Sequence, residues 1–143
     1  MTPYQTIYSR FSTKVQDYNL DALYQKSVDS YESFLKGFLI SAIPFFVYCQ
    51  KDLEDRDDDA QIFNVDLNGI EQEILATLMQ YHWMDREVNN IEQMRLALSN
   101  SDFKRYAESQ NLKAKMDERD SIMERANGLM IQYSYKNYNP EGS

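Results

Sequence analysis

Between Leu20 and Ile43 the apolar residues Leu20, Leu23, Tyr24, Val28, Tyr31, Leu35, Phe38, Leu39 and Ala42 recur at steps of three and four. That period gathers them on one face of a helix and is incompatible with a strand, whose faces alternate every second residue. After Phe34 the stripe widens until the helix is apolar nearly all round, which predicts that its C-terminal half forms the centre of the core. Pro44 ends or kinks it. With only 4 Gly and 3 Pro in 143 residues, the chain has few places to turn. Long helices are therefore favoured over a turn-rich β fold. The length suits one domain, and 43% hydrophobic residues argue against disorder.

The remaining segments read the same way. Thr2-Pro3-Tyr4-Gln5 has the form of a capping box opening a first helix, with Thr2 as N-cap and Gln5 reaching back. Ile7, Phe11 and Val15, with Tyr4 and Tyr8 alongside, form its stripe, and it is expected to stop near Asp17–Asn19. Gln50–Asp66 reads as irregular, with Ile62–Val65 as a short extended piece. Asn68 with Glu71 predicts a second capping box, opening a helix that carries Ile70, Ile74, Leu78 and Tyr81 to about Glu87. Asn89-Asn90 marks a break, and Ile91–Leu98 a short helix. Ser101 is the expected N-cap of a last long helix bearing Phe103, Tyr106, Leu112, Met116, Met123, Ala126, Met130 and Tyr133. Its middle, Asp117–Asp120, is polar on almost every face, a pattern of helices that project from their domain. The predicted fold is all-α: a bundle of about four helices with a long C-terminal helix. Residues 1–133 would form the domain and 134–143 an extended tail.

Charge and composition narrow the chemistry. A net charge of −8 argues against wrapping DNA phosphates, which needs Lys and Arg. It permits an acidic surface that keeps DNA from adhering, although ordinary solubility is the commoner explanation of such a charge. The 11 Tyr residues exceed what a small core needs and suit either partly wet contact surfaces or the core edge. Cys49 is the single cysteine, so no intrachain disulfide can form, and it reads as a small core residue. No basic region followed by an apolar run opens the chain, as a signal peptide would require. The longest apolar run, Phe38–Cys49, is broken by Ser41 and Pro44 and is too short for a bilayer.

No catalytic, cofactor or metal centre emerges. His82 is the one histidine and has no companion at ligand spacing, so a core-edge histidine bonded to a neighbour is expected. No serine lies on a strand–turn–helix elbow, and Asn68-Gly69 is a helix start, not a phosphate loop. Asp55, Asp57 and Asp59, with Ile62 and Asp66 at the eighth and twelfth positions, imitate an EF-hand loop. Ala60 stands where the sharp turn wants Gly, and Asp66 is shorter than the usual bidentate Glu. A solvated loop is the commoner meaning of such a run; a small calcium-binding regulatory protein using Asp55–Asp66 is the alternative reading of function. A DNA mimic would need carboxylates in rows on one face, whereas these are scattered over loops and several helices.

Four patterns recur in a characteristic order: Ser41-Ala42-Ile43-Pro44 followed by Lys51-Asp52-Leu53, then Asp66-Leu67, then Asp102-Phe103-Lys104, and finally Tyr133-Ser134-Tyr135. In this order, from Phe11 to Tyr135, the chain resembles small helical head–tail connector (neck, or adaptor) proteins of tailed bacteriophages infecting Gram-positive bacteria. Asn68-Gly69 departs from the family's more acidic, Gly-free helix start. The resemblance implies a non-enzymatic virion protein of the neck, assembled in the host cytoplasm as a homo-oligomeric ring, commonly a dodecamer, under the portal protein. Such a ring extends the DNA channel, lets double-stranded DNA pass without sequence-specific binding, and meets the next neck or tail-completion protein. It involves no cofactor and no membrane. The resemblance assigns portal docking to a C-terminal tail with Tyr133, Tyr135, Tyr138 and Pro140 as anchors. The acidic loop of Glu54, Asp55, Asp57, Asp58 and Asp59 would face either the channel or the neighbouring subunit.

Overall fold

Asn68 starts the helix around which the other elements are arranged. Its side chain accepts from the Glu71 amide at 3.0 Å, and the Glu71 carboxylate accepts from the Asn68 amide at 2.8 Å, completing the expected capping box. The structure, a computed structural model, describes residues 1–15 and 18–136, without the side chains of residues 18–21. The described residues form six α-helices: α1 (Tyr4–Lys14), α2 (Tyr18–Lys26), α3 (Val28–Ala42), α4 (Gly69–Glu92), α5 (Asn100–Ser109) and α6 (Leu112–Lys136). Three two-residue strands, β1 (Thr2–Pro3), β2 (Arg56–Asp57) and β3 (Ile62–Phe63), make a small antiparallel sheet in the order β1-β3-β2. The fold is an all-α bundle with a long C-terminal helix.

The core is centred on α4, which packs against α1, α3 and α6. From Ile74 to Gln80 every residue of α4 is buried, more than one stripe could supply. The C-terminal half of α3 contributes Leu35, Phe38, Leu39 and Ala42, as its pattern predicts, but as one wall of the core. Tyr4, Ile7, Tyr8 and Phe11 of α1 close another side. Arg10 and Lys14 of α1 both pair with Glu73 of α4. A second, smaller cluster of Val88, Ile91, Phe103 and Leu112 joins the far end of α4 to α5 and the start of α6.

Several boundaries differ from the sequence reading, each for a local reason. Thr2 is not an N-cap. Its hydroxyl donates to the Val65 carbonyl at 3.0 Å and accepts from the Leu67 amide at 2.9 Å, while Thr2 itself pairs with Phe63 in the sheet. Pro3 occupies the cap position without a side-chain bond, and Gln5 turns to Ser9. α1 ends at Lys14, before the expected stop at Asp17–Asn19; Asp17 lies outside the described residues, and Tyr18 and Asn19 already belong to α2. The single helix expected from Leu20 to Ile43 is two helices, because Ser27 accepts from the Ser30 amide and caps α3. Tyr24 and Val28, placed on the buried face by their spacing, are about half exposed beside that break. Pro44 falls within a 3-10 turn, Ile43–Phe45, that ends α3.

In the C-terminal half, α4 runs through Asn89-Asn90 to Glu92 and then tightens into a 3-10 turn, Gln93–Leu96, so the expected break is absent. Ser99, not Ser101, caps α5 by accepting from the Asp102 amide. The long helix expected from Ser101 is divided at Gln110–Asn111, where Asn111 takes a left-handed φ of 54° that Asn tolerates. α6 does not project, since Arg119 in its polar middle bonds Asp85 of α4 at 3.2 Å. Nor does the helical period end at Ser134: Ser134, Tyr135 and Lys136 belong to α6. The rest of the expected extended tail, residues 137–143, lies outside the described residues.

Candidate interaction surface

Two segments distant in sequence build an apolar face that combines exposed aromatics with a groove. The first follows the 3-10 turn. Phe46 is buried, its ring 5.3 Å from that of Tyr133, and Cys49 is half-buried. Val47 and Tyr48 between them are thrown outward, 66% and 69% exposed. The second is the end of α6. Ala126, Met130 and Tyr133 face the core, while the adjoining row Asn127, Ile131, Ser134 and Tyr135 faces out, with Ile131 58% and Tyr135 78% exposed. Together they line an open groove of about 750 Å³ whose lining includes no charged residue. An exposed apolar groove on a chain with net charge −8 is a candidate interaction surface.

Tyr133 holds the two walls together. Its hydroxyl donates to Glu71 Oε2 at 2.7 Å and accepts from the Gln50 amide at 2.7 Å. Glu71 is fully buried, and its Oε1 also takes the Asn68 amide and Lys51 Nζ at 3.1 Å. Lys51 bonds the Asp66 carbonyl as well, at 2.8 Å. The start of α4, the 46–51 loop and the end of α6 therefore meet at one carboxylate. Burial, and then the hydrogen bond to Glu71, push the Tyr133 hydroxyl above its ordinary pKa. The same burial raises the Cys49 thiol, as befits a core residue rather than a nucleophile.

Of the residues assigned to docking, Tyr133 is thus a core residue, 1% exposed, and its spacing with Ala126 and Met130 explains why. Tyr135 is on the groove. Tyr138 and Pro140 lie outside the described residues. Val47, Tyr48 and Ile131 were missed by sequence reasoning; the only signal was a second row on α6, Asn127-Ile131-Ser134-Tyr135, beside the buried one.

The acidic loop is largely exposed, and most of its carboxylates are engaged locally. Asp57 accepts from the amides of Asp59 and Ala60, turning the β2–β3 connection. Asp55 accepts from the Asn64 side chain, Glu54 pairs with Arg56, and Asp58 takes Arg56 and the Tyr4 hydroxyl. Hydrogen bonding from Tyr4 is the main reason Asp58 sits below the usual carboxylate range. Gln61 adopts a left-handed φ of 57°, with its side chain held by the Tyr8 hydroxyl. No group of three or more His, Cys, Asp or Glu side chains converges among the described residues. No helix among them is long and apolar enough to cross a membrane.

His82 packs at the edge of the Phe45 ring, 4.6 Å between centroids, beside the expected core margin. It is hydrogen-bonded to the Ser41 backbone, as a core-edge histidine bonded to a neighbour should be, while its Nε2 is buried without a hydrogen-bond partner among the described residues. Burial lowers its pKa, against the raising influence of Asp85 and the Ser41 backbone. A folded-state pKa below the unfolded value makes this contribution to stability complete above about pH 6.5 and lost as pH falls toward the folded value. It is the only histidine, so thermal melts between pH 7.5 and 5.5 should show a decline that His82→Leu flattens. Equal slopes for the two proteins would exclude the effect.

No protein-family model, curated protein or solved structure matches the chain.

Proposed function

We propose that this chain is a structural virion protein: a head–tail connector subunit that forms a ring under the portal, extends the DNA channel and has no catalytic activity. The observation that carries the reading is the exposed, uncharged groove formed by Val47, Tyr48, Ile131 and Tyr135 at the C-terminal end of α6. Tyr135, one of the residues to which the resemblance assigns portal docking, lies on this groove. Aromatic anchors on a preformed helical wall are what such an interface needs. The exposed acidic loop supports a role at the channel or between subunits, because a negative surface does not hold DNA.

Native mass spectrometry of the protein alone and mixed with portal rings tests this. A discrete ring, or stoichiometric binding to the portal, is expected. Ile131→Asp places a charge in the groove without touching the core and should abolish the complex while leaving the circular dichroism spectrum unchanged. A folded monomer indifferent to the portal would overturn the proposal.

A further inference from the structure

Charge is separated along this molecule. The segment Gln93–Met116 carries Arg95, Lys104, Arg105, Lys113 and Lys115 against only Asp102 and Glu108. Lys51–Asp66 is the reverse, with Asp52, Glu54, Asp55, Asp57, Asp58, Asp59 and Asp66 against Lys51 and Arg56. The two segments stand at opposite ends of α4. Lys51 bonds Glu71 in its first turn, while Ile91 near its end packs with Phe103 and Leu112. From Glu71 to Ile91 the helix advances about 30 Å. The two ends are therefore too far apart to neutralise each other within one chain.

We propose that a recess between α5 and the start of α6 seats the acidic loop of a second copy, so that copies associate head to tail. The recess holds about 790 Å³ and is lined by Phe103, Leu112 and Met116 together with Lys104 and Lys113. Both lysines are exposed and make no ion pair among the described residues. Arg95 also lines it but is already held by Glu92 and lies over the Phe103 ring, 4.1 Å from its centroid. Glu108 and Asp117 complete the charged lining, which disfavours a long polyanion such as nucleic acid in the same seat. The incoming loop is preorganised, because Asp57 accepts from the amides of Asp59 and Ala60 and fixes the turn on which Asp59 is presented. Net charges of −8 oppose association, but charges more than about 8 Å apart are largely screened at physiological salt, so the touching surfaces decide. Since the two faces differ, each pairing leaves one of each free, and addition continues until the series closes. This contact rests on the ring reading proposed above, for which it supplies the joined faces, and it leaves the Tyr135 groove to the portal.

Sedimentation velocity on the full chain tests it with two double variants. Lys104→Glu/Lys113→Glu spoils the basic end, and Glu54→Lys/Asp59→Lys the acidic end; circular dichroism confirms that both are folded. The parent is expected to associate, more weakly as salt rises, and each variant alone to lose at least tenfold in association. An equimolar mixture of the two at raised concentration should stop at a one-to-one pair, because each retains one intact end. Variants that assemble like the parent overturn the contact while leaving the ring reading standing. Loss in only one variant, or no pair in the mixture, overturns it as well. So does a parent that stays monomeric yet binds portal rings, a result that spares the connector reading; a monomer indifferent to the portal removes both.

Discussion

Tyr133→Ala is expected to destabilise the protein by about 3–5 kcal/mol, the range for removing a large buried aromatic side chain. The ring is fully buried against Phe46, and its hydroxyl links the Glu71 carboxylate to the Gln50 amide. Tyr133→Phe separates the two contributions. It keeps the packing and removes the hydroxyl, so it should cost about 1–3 kcal/mol, because a charged acceptor and a backbone donor each lose a partner. Urea denaturation of both variants gives the comparison. Glu71→Gln completes a double-mutant cycle with Tyr133→Phe, and a coupling of roughly 0.5–3 kcal/mol is expected for groups in direct contact. Stability of Tyr133→Phe equal to that of the parent would remove the hydroxyl from the account. The groove should suffer with the fold, since Tyr133 links the segment bearing Val47 and Tyr48 to α6 through Phe46 and the Gln50 amide.

The helical character of the chain was legible because period is a local property. Ile7 and Phe11, Leu35 and Phe38, and Ile74 and Leu78 recur at helical steps, and all are buried. The Asn68–Glu71 capping box was legible for the same reason, since donor and acceptor lie three residues apart. Thr2 misled because the identical local signal was outcompeted by distant partners. The strand pairing with Phe63 and the bonds to Val65 and Leu67 satisfy the hydroxyl that a cap would have used. Ser27 and Asn111 interrupt stripes that continue in phase, so periodicity alone cannot see either break. The candidate surface was the least legible part. A Tyr that anchors a partner and a Tyr that anchors a core have the same composition. Only the turn of α6 decides that Tyr133 points inward and Tyr135 outward. Val47 and Tyr48 continue an apolar run that reads as core. They are exposed because the 3-10 turn at Pro44 redirects the chain after Phe46.

Phe63→Ala should be comparably damaging, at about 3–5 kcal/mol, although the residue lies in the segment that reads as irregular. Phe63 is fully buried on the central strand of the small sheet, its ring 4.8 Å from that of Tyr4. β1 and β2 both pair with it, through Thr2 and Arg56. The acidic loop is thus fixed to the helical core from beneath, and its carboxylates then tie its surface: Asp58 to Tyr4 and Arg56, Asp55 to Asn64. Ile62 alternates to the other side of the strand and is only half-buried, so Ile62→Ala should cost clearly less. Hydrogen exchange gives a second readout. The Asn64 amide donates to the Asp55 carbonyl at 2.9 Å and should lose its protection in Phe63→Ala before the α4 amides do. If Phe63→Ala instead melted like the parent with Asn64 still protected, the loop would be held by its surface ion pairs alone. That outcome runs against expectation, because exposed pairs such as Glu54–Arg56 contribute only about 0–1 kcal/mol each.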